Sequence, residues 1–140
     1  MRFYLVFILF FYLHCSYSQT LTLNFTGLRN AKGHLQIHFY TNKIDFDKEK
    51  PSLTRIVPKT QVKQGTLSIS YNDIPPGTYG IAILDDENSN KKMDYGFMLP
   101  EEGFGFSDYY HTGFTRPDYD RFKFNFQQGN KQVVIRVRYL

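Results

Sequence analysis

Cysteine is almost absent: Cys15 is the only one among 140 residues. No intrachain disulfide can form, so a small domain of this kind must hold together by packing or by a bound ion. Long apolar runs are scarce too. The one near-unbroken run, from Phe3 to Tyr12, is shorter than the roughly 20 residues that a membrane span needs. No segment keeps a 3.6-residue apolar period over three turns, which argues against helical architecture. Clustered positive charge is missing as well. The 17 Lys and Arg stand against 13 Asp and Glu, a formal +4, and the basic residues are spread singly along the chain. Nucleic-acid binding wants a concentrated patch. Nor is there a phosphate-binding glycine loop leading into a helix, or a nucleophile-elbow serine.

What is present begins with a leader. Arg2, the apolar run and Ser16-Tyr17-Ser18 have the basic, apolar and small-residue order of a secretory signal, with cleavage expected after Ser18. A retained membrane anchor is the alternative. Lipidation at Cys15 is disfavoured by the preceding His14. Residues 1–18 are therefore expected to be a signal peptide and residues 19–140 one exported domain, periplasmic or extracellular. Cys15 and Arg2 leave with the signal, which removes thiol chemistry and lowers the net charge by one.

Within 19–140 the dominant period is two. Leu21, Leu23 and Phe25 alternate with polar residues, as do Leu35, Ile37 and Phe39, then Leu67, Ile69 and Tyr71. Tyr79, Ile81 and Ile83 continue the pattern, followed by Phe122, Phe124 and Phe126, and by Val133, Ile135, Val137 and Tyr139. Each set predicts a half-buried strand, and residues 56–63 predict a weaker one. Gly27–Gly33, Gln64-Gly65, Pro75-Pro76-Gly77 and Gln128-Gly129-Asn130 supply the turns. About seven short strands predict an all-β fold, an antiparallel Greek-key sandwich of immunoglobulin-like or transthyretin-like type. Residues 42–55 predict an exposed excursion with a helical turn.

Residues 85–119 hold what is unusual. Asp86, Asn88, Asn90 and Asp94 put oxygen side chains at the first, third, fifth and ninth places of a loop, and Lys92 offers its carbonyl at the seventh. Ca²⁺ takes about six to eight oxygens arranged in this way. Lys91 stands where a calcium loop has glycine, however, and Phe97 where it has a bidentate carboxylate. The competing reading is a connection whose Asp and Asn side chains satisfy their own backbone. Asp85, Glu87, Glu101 or Glu102 are the carboxylates available to complete an ion site. The loop from Leu99 is rich in glycine and aromatics. Phe104, Phe106, Tyr109 and Tyr110, with Phe114, form either a binding face or a plug at the open end of the sandwich. His34 and His38 share a strand face about 13 Å apart, too far for one metal.

Three segments in order carry a resemblance. Gly27-Leu28-Arg29 with Gly33 opens the domain. Asp73-Ile74-Pro75-Pro76-Gly77-Thr78-Tyr79 then precedes the Asp86–Asn90 loop, and Leu99-Pro100-Glu101-Glu102-Gly103-Phe104-Gly105-Phe106-Ser107 follows. Together they resemble the bacterial domain-of-unknown-function family 2141. The resemblance implies an exported bacterial sandwich and no particular reaction. The family loop commonly reads Asp-Glu-Asn-x-Asn-Gly-x-x-Asp, matched here at Asp86, Glu87, Asn88, Asn90 and Asp94 but not at Lys91.

The expectation is a non-enzymatic binding or structural module with no catalytic residues and a Ca²⁺-stabilised loop at 86–94. Its partner would be protein or carbohydrate at the cell envelope, neither nucleic acid nor, once the signal is cleaved, membrane. The alternative is a small-ligand carrier or hydrolytic enzyme using 85–119, with Asp86, Glu101, Glu102 and His111 as polar groups. That alternative requires at least two of the four to converge on one pocket.

Overall fold

The computed structural model describes residues 19–127 and 129–140. The expected signal segment, residues 1–18, lies outside them. Among the described residues, eight strands form two sheets. The first sheet orders β4 (Leu67–Tyr71), β1 (Thr20–Thr26) and β8 (Asn130–Arg136). The second orders β3 (Leu53–Pro58), β2 (His34–Tyr40), β5 (Gly77–Asp86) and β6 (Gly103–Phe106). β7 (Lys123–Phe126) also pairs with β5. It takes Gly77–Gly80, while β6 takes Ala82–Asp85, so the long β5 serves two partners along one edge.

The fold is an all-β sandwich, as the alternation predicts. Its packing follows from side chains that change face at every residue. Leu21, Leu23 and Phe25 of β1 and Val133 and Ile135 of β8 meet Leu35, Ile37 and Phe39 of β2 and Ile81 and Ile83 of β5 in one buried cluster. One pair departs from the antiparallel expectation: β1 and β8 run parallel, from Thr20 opposite Asn130 to Thr26 opposite Arg136. A parallel pair needs a crossover, and here almost the whole domain lies between the two strands.

The weak strand expected over 56–63 is β3, displaced toward the N-terminus. It ends at Pro58, which leaves Lys59 free to turn inward. The predicted helical turn is α1 (Lys43–Asp47), capped by Asn42, whose side chain accepts from the Asp45 N–H. β6 was not expected, since a four-residue Gly-Phe-Gly-Phe strand offers too little periodicity. A Cβ at Gly103 would stand 2.7 Å from Val137, and one at Gly105 would stand 2.9 Å from the Arg136 carbonyl. Glycine is required there because β8 and its extension pack against that face.

Tyr40, beside the core residue Phe39, points to the outer face of the larger sheet. With Phe46 of α1, Phe106, Tyr119 and Phe122 it builds a second buried cluster. Phe46 packs edge-on to Phe122 at 4.9 Å and to Tyr40 at 5.2 Å between ring centres. Ser107, fully buried, joins this layer to the sheet: its hydroxyl donates to the Phe122 carbonyl at 2.6 Å and accepts from the Ile81 N–H at 2.9 Å.

Candidate functional site

β5 runs out of the sandwich into the polar loop, and its last residues decide the loop's geometry. Asp86 is buried on the outer face, where one carboxylate oxygen accepts from Gln36 Nε2 at 2.9 Å and from the Lys91 N–H at 2.9 Å. The other accepts from the Asn90 N–H at 3.0 Å. Asn88 Oδ1 also accepts from Asn90 N, at 2.9 Å, and Asn90 Oδ1 accepts from Lys92 N at 2.8 Å. These are Asx-turns stacked along the chain. Asp94 closes the loop, accepting from the side-chain amides of Asn88 at 2.5 Å and Asn90 at 2.8 Å. Lys91, at the sixth place of the loop, where a calcium loop has glycine, adopts φ 65°, in the left-handed region that favours glycine.

Glu102, immediately before β6, braces the loop. Its buried carboxylate accepts from the Glu87 N–H at 3.1 Å and from the Asp94 N–H at 3.4 Å. Burial, together with the nearby charges of Asp86 and Asp94, pushes its carboxyl above the usual range. Among the described residues, no three His, Cys, Asp or Glu side chains group as an ion site of their own. An ion here would depend on amide and backbone oxygens. Of the expected ligands, Asp86, Asn88, Asn90 and Asp94 do share one loop, but their oxygens are turned to N–H and NH₂ donors.

Asp85 points the other way, into the end of the core. It pairs with Lys59 and accepts from the Tyr139 hydroxyl. Both Lys59 and Asp85 are 0% exposed. Around them, Asn30 Oδ1 accepts from Lys59 Nζ at 3.3 Å, and Asn30 Nδ2 donates to Glu87 Oε1 at 2.9 Å. Arg29 grips Glu87 through Nε at 2.6 Å and Nη2 at 2.9 Å, and lies 4.4 Å above the Tyr139 ring. The guanidinium contact holds the Glu87 carboxyl below the usual carboxylate range. Gly33, at φ +69°, lets the backbone at Glu87 approach: a Cβ would come within 2.7 Å of it.

The aromatic residues divide. Phe106 is buried in the second cluster, and Phe104 and Tyr109 pack half-buried against it. Of these four only Tyr110 is exposed, under the Arg136 guanidinium at 4.9 Å. Phe104, Phe106, Tyr109 and Tyr110 therefore do not present one exposed face. Phe104 and Phe106 instead line a cleft of about 480 Å³, with Tyr95, Met98, Leu99 and Phe114 among its other walls. Met98 is 84% and Phe114 81% exposed. Polar groups at the cleft include Glu49, Arg116, Thr115 and His111. Arg116 is held by Glu49 at 2.9 Å and by the Phe46 carbonyl at 2.5 Å. His111 Nε2 donates to the Thr115 carbonyl at 2.5 Å, and its Nδ1 has no partner. Of Asp86, Glu101, Glu102 and His111, only His111 lines this cleft. A depression of about 560 Å³ along Thr60, Gln61, Lys63 and Thr66–Ser68 is lined almost wholly by polar residues and Lys63, with no opposing charge.

A family profile described as an uncharacterized protein conserved in bacteria, DUF2141, matches residues 23–134. The chain belongs to this family. The match spans both sheets and the 86–119 connection, and carries no transthyretin-like description. No curated protein and no solved structure matches this DUF2141 chain.

Sequence reasoning missed Lys59, Tyr139, Ser107 and the bracing role of Glu102. Lys59 was legible only as part of a weak polar strand. Its burial depends on β3 ending at Pro58. Tyr139 closes the last alternating row, a signal for packing and not for a hydrogen bond to a carboxylate.

Proposed function

We propose that this DUF2141 protein is an exported, non-catalytic sandwich module that takes a small, largely apolar ligand in the cleft beside the 86–119 connection. The carrying observation is the exposure of Met98 and Phe114 around a concavity floored by Phe104 and Phe106. Binding clefts are mostly apolar with a few polar groups, and clustered exposed apolar side chains mark interaction sites. The separation of His111 from Asp86 and Glu102 supports the non-catalytic reading. Export rests on the signal-like residues 1–18, and an N-terminus at Gln19 in the secreted protein would test it.

The ligand claim is tested by titrating the secreted protein with anilinonaphthalene sulfonate and a medium-chain fatty acid. Saturable binding is expected, weakened about tenfold or more in Met98→Asp and Phe114→Asp, roughly 1.4 kcal/mol per decade. Binding that does not saturate, or that both substitutions leave unchanged, would overturn it.

A second reading, a Ca²⁺-stabilised loop, has its own support. Among the described residues, Asp86, Asp94 and Glu102 have no Lys, Arg or His in ion-pair contact. Two of the three are buried, and buried charge without a counter-charge is costly. A cation would offset it. At a hundredfold excess over Kd, bound Ca²⁺ would stabilise the fold by about 2.7 kcal/mol. Coincident melting curves in EDTA and in millimolar Ca²⁺ would remove this reading.

A further inference from the structure

The buried pair at the end of the core has a chemistry beyond the ion pair. Lys59 follows β3 and Asp85 lies on β5. These strands flank β2, so the lysine reaches across its start. Nζ of Lys59 is in direct contact with Oδ1 of Asp85. That oxygen has no well-aligned hydrogen bond, so the contact is one of charge and proximity. Oδ2 is different: the Tyr139 hydroxyl donates to it. Asn30 Oδ1, 3.3 Å from Nζ, helps to orient the amine.

We propose that Lys59 and Asp85 condense spontaneously into an intramolecular amide, an isopeptide cross-link between the end of β3 and β5. Three features carry this: full burial of both groups, contact of the nucleophile with the oxygen that must leave, and a donor already placed on the oxygen that must stay. The reacting form is the free amine facing the carboxylic acid, which differs from the ion pair only by one proton moved from Nζ to Oδ1 across the contact. Burial pushes the Asp85 carboxyl upward, in the direction the reaction needs.

The Nζ lone pair attacks Cγ of the protonated carboxyl. Negative charge develops on Oδ2, where the Tyr139 hydroxyl stabilises it as an oxyanion donor does. The Cγ–Oδ1 bond then breaks. Oδ1 departs as water, carrying its own proton and one from Nζ, and the amide keeps the second Nζ proton. Fixed proximity replaces an external activating group, and no oxidant or co-reactant is consumed. In a chain that can form no intrachain disulfide, such a bond would close the loop from residue 59 to residue 85, constraining the unfolded chain as a disulfide does.

Asn30 is the rival electrophile. Its amide is already engaged, Oδ1 by Lys32 N at 2.8 Å and Nδ2 by Glu87 at 2.9 Å, and it is less buried than Asp85. Intact mass of the purified, denatured protein separates the cases. Condensation at Asp85 removes one water, about 18 Da, whereas reaction at Asn30 removes ammonia, about 17 Da. We expect the loss of water, and a tryptic branch joining the peptide of Lys59 to that of Asp85. Lys59→Arg should restore the full mass, and Tyr139→Phe should slow appearance of the lighter species about tenfold or more. A wild-type mass equal to that of the sequence, or a loss of ammonia, would overturn the proposal.

Discussion

Asp85 and Asp86 are adjacent in the chain and face opposite sides of β5. Asp85 enters the core end to meet Lys59 and Tyr139. Asp86 faces outward to Gln36 and to the backbone of the loop it opens. Strand alternation alone puts them on different faces, and the two faces give them different work. One is buried against an amine; the other organises a turn. Glu87, the next residue, returns to the first side and takes Arg29.

Tyr139 should be more than a packing residue. Its hydroxyl donates to Asp85 and accepts from the Arg29 N–H at 3.2 Å, and burial with the Asp85 contact holds its proton on well above the ordinary tyrosine range. Tyr139→Phe removes the donor and leaves the buried Oδ2 of Asp85 unpaired, at a cost of about 1–3 kcal/mol. Urea unfolding should show the loss. A midpoint unchanged from wild type would mean that water replaces the hydroxyl.

Lys91 occupies a conformation that favours glycine. Lys91→Gly would relieve roughly 1 kcal/mol of backbone strain, largely offset by about 0.4–1 kcal/mol of added freedom in the unfolded chain. Its melting temperature in EDTA should therefore stay close to wild type. Removing a positive charge from the loop should enlarge any Ca²⁺-induced rise in Tm, and an unchanged or smaller rise would count against the ion reading.

Phe46 fastens α1 and the outer aromatic layer to the sheet. It is almost fully buried, and the Arg116 guanidinium covers it at 3.9 Å. Phe46→Ala should cost about 3–5 kcal/mol. Because Phe46 and Arg116 also line the cleft, dye binding should fall with it. Equilibrium denaturation and the titration above measure the two effects separately.

His38 gives a pH dependence of known sign. Burial lowers its pKa from 6.5, so the unfolded chain takes up the proton first as pH falls. The stability it contributes is complete above pH 6.5 and is lost as pH falls from there through the depressed folded value. Wild-type Tm should therefore decline faster than that of His38→Gln on going from about pH 7.5 to 5.5, a range above the ordinary carboxylate values. Parallel curves would show that the imidazole titrates as freely in the folded state as in the unfolded one.

Most of the fold was legible because period-two burial is a local property: each row from Leu21 to Val137 carries its own signal. β6 was not, since its glycines answer to the closeness of β8, which no local pattern records. The loop was legible in its Asx chemistry, because Asp86, Asn88 and Asn90 reach only a few residues along the chain. The cleft was not, since Phe46, Met98 and Phe114 come from three separated segments.

The sequence by itself determined the sandwich, the absence of an intrachain disulfide and the oxygen-rich turn, all consequences of residue type and short-range spacing. Only the tertiary structure decided that Lys59 is buried against Asp85, that Tyr139 donates to the same carboxylate, and that the aromatic residues split between a plug and a cleft wall. Those contacts join residues 26 to 54 positions apart, and such pairings exist only once the sheets have closed on each other.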